Sequence, residues 1–128
     1  MRVLLDTHIF LWWDNAPDQL SAQALSLCQD SANTLVLSVV SVWEMQIKQQ
    51  LGKLTLRLPL AELIEDQQKT NGIEILPVSL AHVLLLESLP SHHKDPFDRL
   101  LIAQANAEDI SLLSVDPSFK QYPVKLLN

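Results

Sequence analysis

The chain has 128 residues, 48% of them hydrophobic and only two of them glycine, which fits one domain over residues 1–128 with a real core and leaves no room for a second. Its net charge of −6, from fifteen acids against nine Lys and Arg, argues against a general nucleic-acid binder and permits a bound divalent cation or a basic protein partner. The single cysteine, Cys28, excludes an internal disulfide. No apolar run reaches a membrane span, and the opening MRVLLDTHIFLWWD meets an acid too soon for a signal segment, so the expected compartment is the cytoplasm.

RVLL (2–5) reads as a buried strand, and THIFLWWDN (7–15) follows as a helix that ends before Pro17. Ser21 is placed to cap a second helix with Ala22, Leu25 and Cys28 on its inner side. TLVLS (34–38) is the second strand, after which Ser41 is expected to open a helix that Gly52 closes. A further helix ends at Asn71-Gly72, IEILPV (73–78) is the third strand, and SLAHVLLLESLP (79–90) is helical. Asp95 and Pro96 start the next helix, which runs to about Asp109. ISLLSV (110–115) is the fourth strand and VKLL (124–127) a weaker fifth. Continuous apolar strands alternating with helices imply an α/β fold whose mostly parallel sheet, of four to five strands, is covered on both faces. In such sheets ligands bind beyond the carboxyl ends of the strands.

Four acids fall at that edge. Asp6 follows the first strand, Glu44 lies in the first turn of the helix after the second, Asp98 lies in the first turn of the helix before the fourth, and Asp116 follows the fourth. Each has a purely structural explanation. Asp6 and Asp116 suit helix or turn starts, Glu44 completes a capping box with Ser41 or pairs with Lys48, and Asp98 stands three residues after the cap Asp95. As a set they are harder to explain that way. Carboxylates about 4 Å apart repel by roughly 4 kcal/mol per pair at an effective dielectric near 20, whereas a cap contributes about 1 kcal/mol. A divalent cation accounts for such convergence, and an all-oxygen ligand set suits Mg²⁺ or Mn²⁺ and hence phosphodiester or phosphoryl chemistry.

The strings LLDTHIFLWW, SVVSVWEMQIKQQLGKL, LPSHHKDPFDRLLIAQA and LLSVDPSF resemble, in this order, the motif blocks of PIN-domain proteins, above all the VapC-like toxins of bacterial toxin–antitoxin pairs. The resemblance covers nearly the whole chain. It implies a three-layer α/β/α sandwich, a ribonuclease dependent on Mg²⁺ or Mn²⁺, a cognate antitoxin that covers the acidic groove, and a homodimer. It carries the family's catalytic and metal-binding acids onto Asp6, Glu44, Asp98 and Asp116, with Thr7 and Ser114 at the small hydroxyl positions beside the first and last. Asp95 remains first a cap, with an outer-sphere role open. His8, two residues after Asp6, either reaches the site or packs beneath it.

Cations that would hold RNA near so acidic a site are Arg99, Lys48 and Lys94, with Lys53 and Arg57 further candidates; each is otherwise an ordinary surface charge. His92 and His93 border the site in the loop before Asp95. Trp12 and Trp13 sit in a helix apolar all round, which suits the core or a protein contact. Two other function classes are a Mg²⁺-dependent phosphoryl-transfer enzyme and a non-catalytic interaction module on the same fold. The first would want a second acid two residues after Asp6, where this chain has His8. The second would be signalled by loss of an acid, and all four are present.

Overall fold

In the computed structural model, residues 1–91 and 95–128 are described; His92, His93 and Lys94 lie outside them. The elements run β1 (Arg2–Leu5), α1 (Thr7–Asn15), a 3-10 turn (Pro17–Gln19), α2 (Ala22–Gln29), β2 (Thr34–Ser38), α3 (Val39–Gln50), α4 (Leu60–Asn71) and β3 (Glu74–Leu76). They continue with α5 (Leu80–Leu84), a 3-10 turn (Leu85–Ser88), α6 (Pro96–Glu108), β4 (Ser111–Leu113), a 3-10 turn (Pro117–Gln121) and β5 (Leu126–Leu127).

The sheet order is β3-β2-β1-β4-β5 and every neighbouring pair is parallel. Alternation along each strand feeds two cores. Val3, Leu5, Leu35, Leu37 and Leu113 pack with Ile9, Phe10, Ala24 and Leu63 on one face. Leu4, Val36 and Leu112 pack with Leu101, Ile102, Ala105 and Phe119 on the other. Both faces of the strands are therefore apolar, which is why they read as unbroken hydrophobic runs, and the result is the expected three-layer α/β/α sandwich. The chain leaves β1 towards β2 and β3, then crosses back so that β4 lies on the other side of β1. That reversal opens a crevice at the carboxyl ends of β1 and β4.

Several boundaries differ from the sequence-based expectation, each for a local reason. α3 starts at Val39, not after Ser41, because Ser38 at the end of β2 takes the cap, its hydroxyl accepting from the Val40 N–H at 3.0 Å. Ser41 is thereby a buried residue inside the helix, and Glu44 lies in its second turn, outside any capping box. In α2 the cap at Ser21 is as expected, but the inward pair is Ala24 and Cys28, with Ala22 exposed at the helix tip and Leu25 only partly covered. β3 stops at Leu76 because Pro77 has no N–H to extend the ladder. The segment after Ser79 makes five residues of α-helix and then tightens into a 3-10 turn, under a Ser79–His82 capping box.

Candidate active site

Asp6 sits where β1 ends, in the crevice between β1 and β4. Its backbone N–H continues the sheet by donating to the Leu113 carbonyl at 3.0 Å. It occupies the N-cap position of α1, yet its side chain makes no capping hydrogen bond. Instead Oδ2 accepts from the buried Ser114 hydroxyl at 2.7 Å. Burial raises the Asp6 pKa against the pull of Ser114, and the nearby Glu44 carboxylate raises it further; the His8 ring and backbone N–H act the other way. Capping thus fails to explain Asp6. It is a buried acid held beside a second acid.

Glu44 is that second acid, 8% exposed on the inner face of α3. Thr7 Oγ1 lies 2.8 Å from Glu44 Oε1 and 2.8 Å from Ser41 Oγ. An ionised carboxylate only accepts, so Thr7 donates to Glu44 and receives the Ser41 proton. The Lys48 ammonium meets the other oxygen, Oε2, at 2.9 Å, one turn along the helix. Ser41 was read from sequence as a cap; its S-x-x-E spacing to Glu44 puts both on one helix face, and that spacing is the signal for the positioning role it has here.

Asp116 and Asp98 complete the rim. The Asp116 N–H donates to Ser114 Oγ at 3.1 Å, so one serine hydroxyl ties the loop after β4 to Asp6. Asp116 Oδ1 also caps the following 3-10 turn through the Ser118 N–H at 2.9 Å. α6 starts at the same edge, with Asp95 Oδ1 accepting from the Phe97 and Asp98 N–H groups at 2.9 and 3.1 Å. Asp98 is flanked by Phe97, whose ring meets Trp43 of α3, and by Arg99, whose guanidinium reaches the Tyr122 hydroxyl at 3.2 Å. The start of α6 is therefore wedged between α3 and the segment after β4.

A buried polar chain that sequence reading missed fixes the rest of α6. The Ser38 hydroxyl donates to Gln104 Oε1, and Gln104 Nε2 donates to the Pro77 carbonyl at 3.2 Å. The Ser79 N–H donates to His82 Nδ1 at 3.0 Å, so the other ring nitrogen carries the proton and donates to Glu108 Oε2 at 3.1 Å. These bonds clamp the helix carrying Asp98 to the ends of β2 and β3. Apart from the Ser79–His82 box, their partners are 26 to 66 residues apart, and no local motif announces them.

His8 is exposed beside Asp6 and not packed beneath it; its ring lies 6.0 Å from that of Trp12. Trp12 and Trp13 are partly buried against the core. Arg57 is held by Asp14 and Asp66, each within 2.8 Å. Arg99 bonds the Pro90 carbonyl at 2.7 Å and lies over the Tyr122 ring. Lys94 lies outside the described residues.

Among the described residues no three His, Cys, Asp or Glu side chains already stand close enough to hold a metal ion. The donor chemistry nonetheless fits one. The groups on the rim are carboxylate and hydroxyl oxygens, the Glu44 carboxylate adds to the rise of the Asp6 pKa, and the Lys48 ammonium occupies the cation position at Glu44. A hard divalent cation would relieve that opposition where a single lysine does so on one side only.

The profile of the PIN domain family matches residues 3–125. The chain belongs to the PIN domain family. It is similar to ribonuclease VapC22 of Mycobacterium tuberculosis, at 28% identity over 94% of this chain and 91% of that one. In fold it is similar to the structure of VapBC2 from Rickettsia felis bound to a DNA fragment from their promoter, with a TM-score of 0.73, 19% identity and coverage of 100% of this chain and 98% of that one. It is also similar to a toxin–antitoxin complex from Klebsiella pneumoniae, with a TM-score of 0.62, 14% identity and coverage of 98% and 96%. No helix among the described residues of this PIN-domain chain is long and apolar enough to cross a membrane.

Proposed function

We propose that this PIN-domain chain is a metal-dependent endoribonuclease and the toxin partner of a toxin–antitoxin pair, working in the cytoplasm. One observation carries the reading: Asp6 is buried, held by Ser114 and opposed by Glu44 at the crevice between β1 and β4, an arrangement that is costly for the fold and that a bound cation would relieve. The similarity to a protein named ribonuclease supports RNA as substrate, and the fold likeness to toxin–antitoxin complexes supports an antitoxin partner.

Asp6, Glu44, Asp98 and Asp116 would hold Mg²⁺ or Mn²⁺. The ion, when bound, supplies a water of lowered pKa and offsets negative charge on the phosphate. The chain's own residues make that possible. Ser114 orients Asp6 and the Asp116 backbone together, while Thr7 and Ser41 fix one oxygen of Glu44. Asp95 holds the first turn of α6 so that Asp98 stays at the rim. The half-exposed Lys48 is free to leave Glu44 for a substrate phosphate.

A homodimer is supported by Leu80, Val83 and Leu84, which leave much of α5 apolar and exposed. The acidic rim suits an antitoxin that brings a basic residue to it.

The test is thermal unfolding of the antitoxin-free chain with and without Mn²⁺, beside Asp6→Asn. Metal at a hundred times its dissociation constant adds about 2.7 kcal/mol, a rise of about 10 °C for a domain of this size. The rise is expected in the wild type and absent in the variant. No rise in either would favour the non-catalytic interaction module.

A further inference from the structure

Trp43 is 56% exposed although it sits between two of the acid-bearing helices. It directly precedes Glu44 on α3, and its one ring contact among the described residues, edge to face at 5.1 Å and 75°, is with Phe97, which directly precedes Asp98 on α6. Phe97 is itself partly buried and packed against the core that α6 helps to build. The indole is therefore braced from one side by a fixed ring and left open on the other, at the rim where the acids stand. Large aromatics are seldom left so exposed in a folded chain without a ligand or partner.

The charge distribution gives this ring a task. Arg2, Lys48, Arg57, Lys69, Arg99 and Lys125 each have an acid or carbonyl partner within the chain. Among the described residues most of the cations are thus already engaged, in a chain of net charge −6. Contacts that do not depend on charge would add to what the remaining cations supply, and base stacking on an aromatic side chain is the strongest of these. We propose that Trp43, braced by Phe97, is a stacking platform for an unpaired nucleobase next to the scissile phosphate. The proposal rests on the ribonuclease reading and adds a binding residue to it, one that can act only on a base free to leave its stack. Val39, one turn before Trp43, is 40% exposed and extends the same face, so a second copy of the chain is the competing occupant.

The test compares the Asp98→Asn chain, which keeps RNA intact, with the same chain carrying Trp43→Ala or Trp43→Phe. Binding of a short randomised single-stranded RNA and of an abasic ribose–phosphate strand of equal length is followed by anisotropy, by tryptophan emission, and by light scattering for mass. Trp43→Ala is expected to weaken RNA binding about tenfold or more and Trp43→Phe much less. The abasic strand should bind all three proteins equally poorly. Quenching of emission by RNA should be much smaller in Trp43→Phe than in the Asp98→Asn parent even though binding persists, because the partly buried Trp12 and Trp13 remain as the only emitters. Equal RNA affinity in Trp43→Ala would overturn the platform and leave the ribonuclease reading intact. A drop in mass with unchanged affinity would assign the face to a second copy. Failure of every protein to bind RNA would overturn both readings together.

Discussion

Asp6 carries an energetic cost that the fold tolerates for the sake of its site. Because burial and Glu44 raise its pKa above that of the unfolded chain, folding favours the protonated carboxyl. The stability this contributes is present in full below the ordinary aspartate pKa and is lost as pH rises through the raised value. At neutral pH without metal, Asp6→Asn is therefore expected to melt above the wild type, with a flatter pH dependence, because the amide still accepts from Ser114 and carries no charge. RNA cleavage by the variant should fall to background. A lower melting point would instead assign Asp6 a structural role. Lys48 supplies the complementary case. It pairs with Glu44 at 2.9 Å and, in the proposed function, would give up that place to a divalent ion. Lys48→Gln is expected to bind Mn²⁺ up to about tenfold more tightly by calorimetry, a gain of about 1.4 kcal/mol, the exposed lysine being well screened by solvent. Unchanged affinity would make the pair incidental. Cys28 marks a third kind of residue: burial pushes its thiol up to about 11, so at pH 8 only about one molecule in a thousand carries the nucleophilic thiolate. Native protein should resist alkylation there until it is unfolded.

The proposed function gives two carboxylates in the first turn of α6 different tasks although they stand three residues apart. Asp95 accepts the Phe97 and Asp98 N–H groups as the helix cap, and Asp98 is the acid assigned to the metal. Asp95→Ala should lower stability by about 1 kcal/mol, or about 4 °C in melting point, and leave the Mn²⁺-induced gain in place. Asp98→Asn should do the reverse, and a variant pair that behaved alike would merge the two roles. This element was legible in the sequence because everything that builds it is local: an Asp-Pro start, an acid in the first turn, and an apolar run behind. β1 and β2 were legible for the same reason. α3 was not, because Ser38 and Ser41 are both competent caps, and only the end of β2 decides between them. Once Ser38 takes the cap, Glu44 moves a turn inward and meets Thr7, a contact across 37 residues that no spacing rule contains. Trp43 was hidden as well. The sequence reading assigned it no place, and only the packing of α6 against α3 shows it in the open. The four acids were visible as residues at strand ends and helix starts, and the resemblance already pointed to Thr7 and Ser114 beside them; which carboxylate each hydroxyl serves became assignable only from the folded structure.

At the scale of the whole molecule, strand order and charge act together. Crossing back over β1 places Asp6 and Asp116 at one crevice, and the helices after β2 and before β4 bring Glu44 and Asp98 to the same edge. The outcome is a negative rim on a negative molecule, and a polyanionic substrate must approach it against the mean field. General nucleic-acid binders overcome repulsion with many lysine and arginine contacts to phosphate, and their affinity then falls steeply with salt. Here most of the cations of the described residues are already paired, so few phosphates can be neutralised. Single-stranded binding loses about 0.7 in log affinity per log salt for each phosphate contact. With two or three contacts, from Lys48 and a neighbour or two, the slope should be no steeper than about −2. Measuring the RNA dissociation constant of the Asp98→Asn chain from low to moderate KCl checks this directly. A slope of about −4 or steeper would mean that the paired cations swing out to the backbone, and phosphate contacts would displace base stacking as the main source of affinity. A shallow slope that steepens in Trp43→Ala would show stacking and charge sharing one binding site, with the ring supplying what the lysines do not.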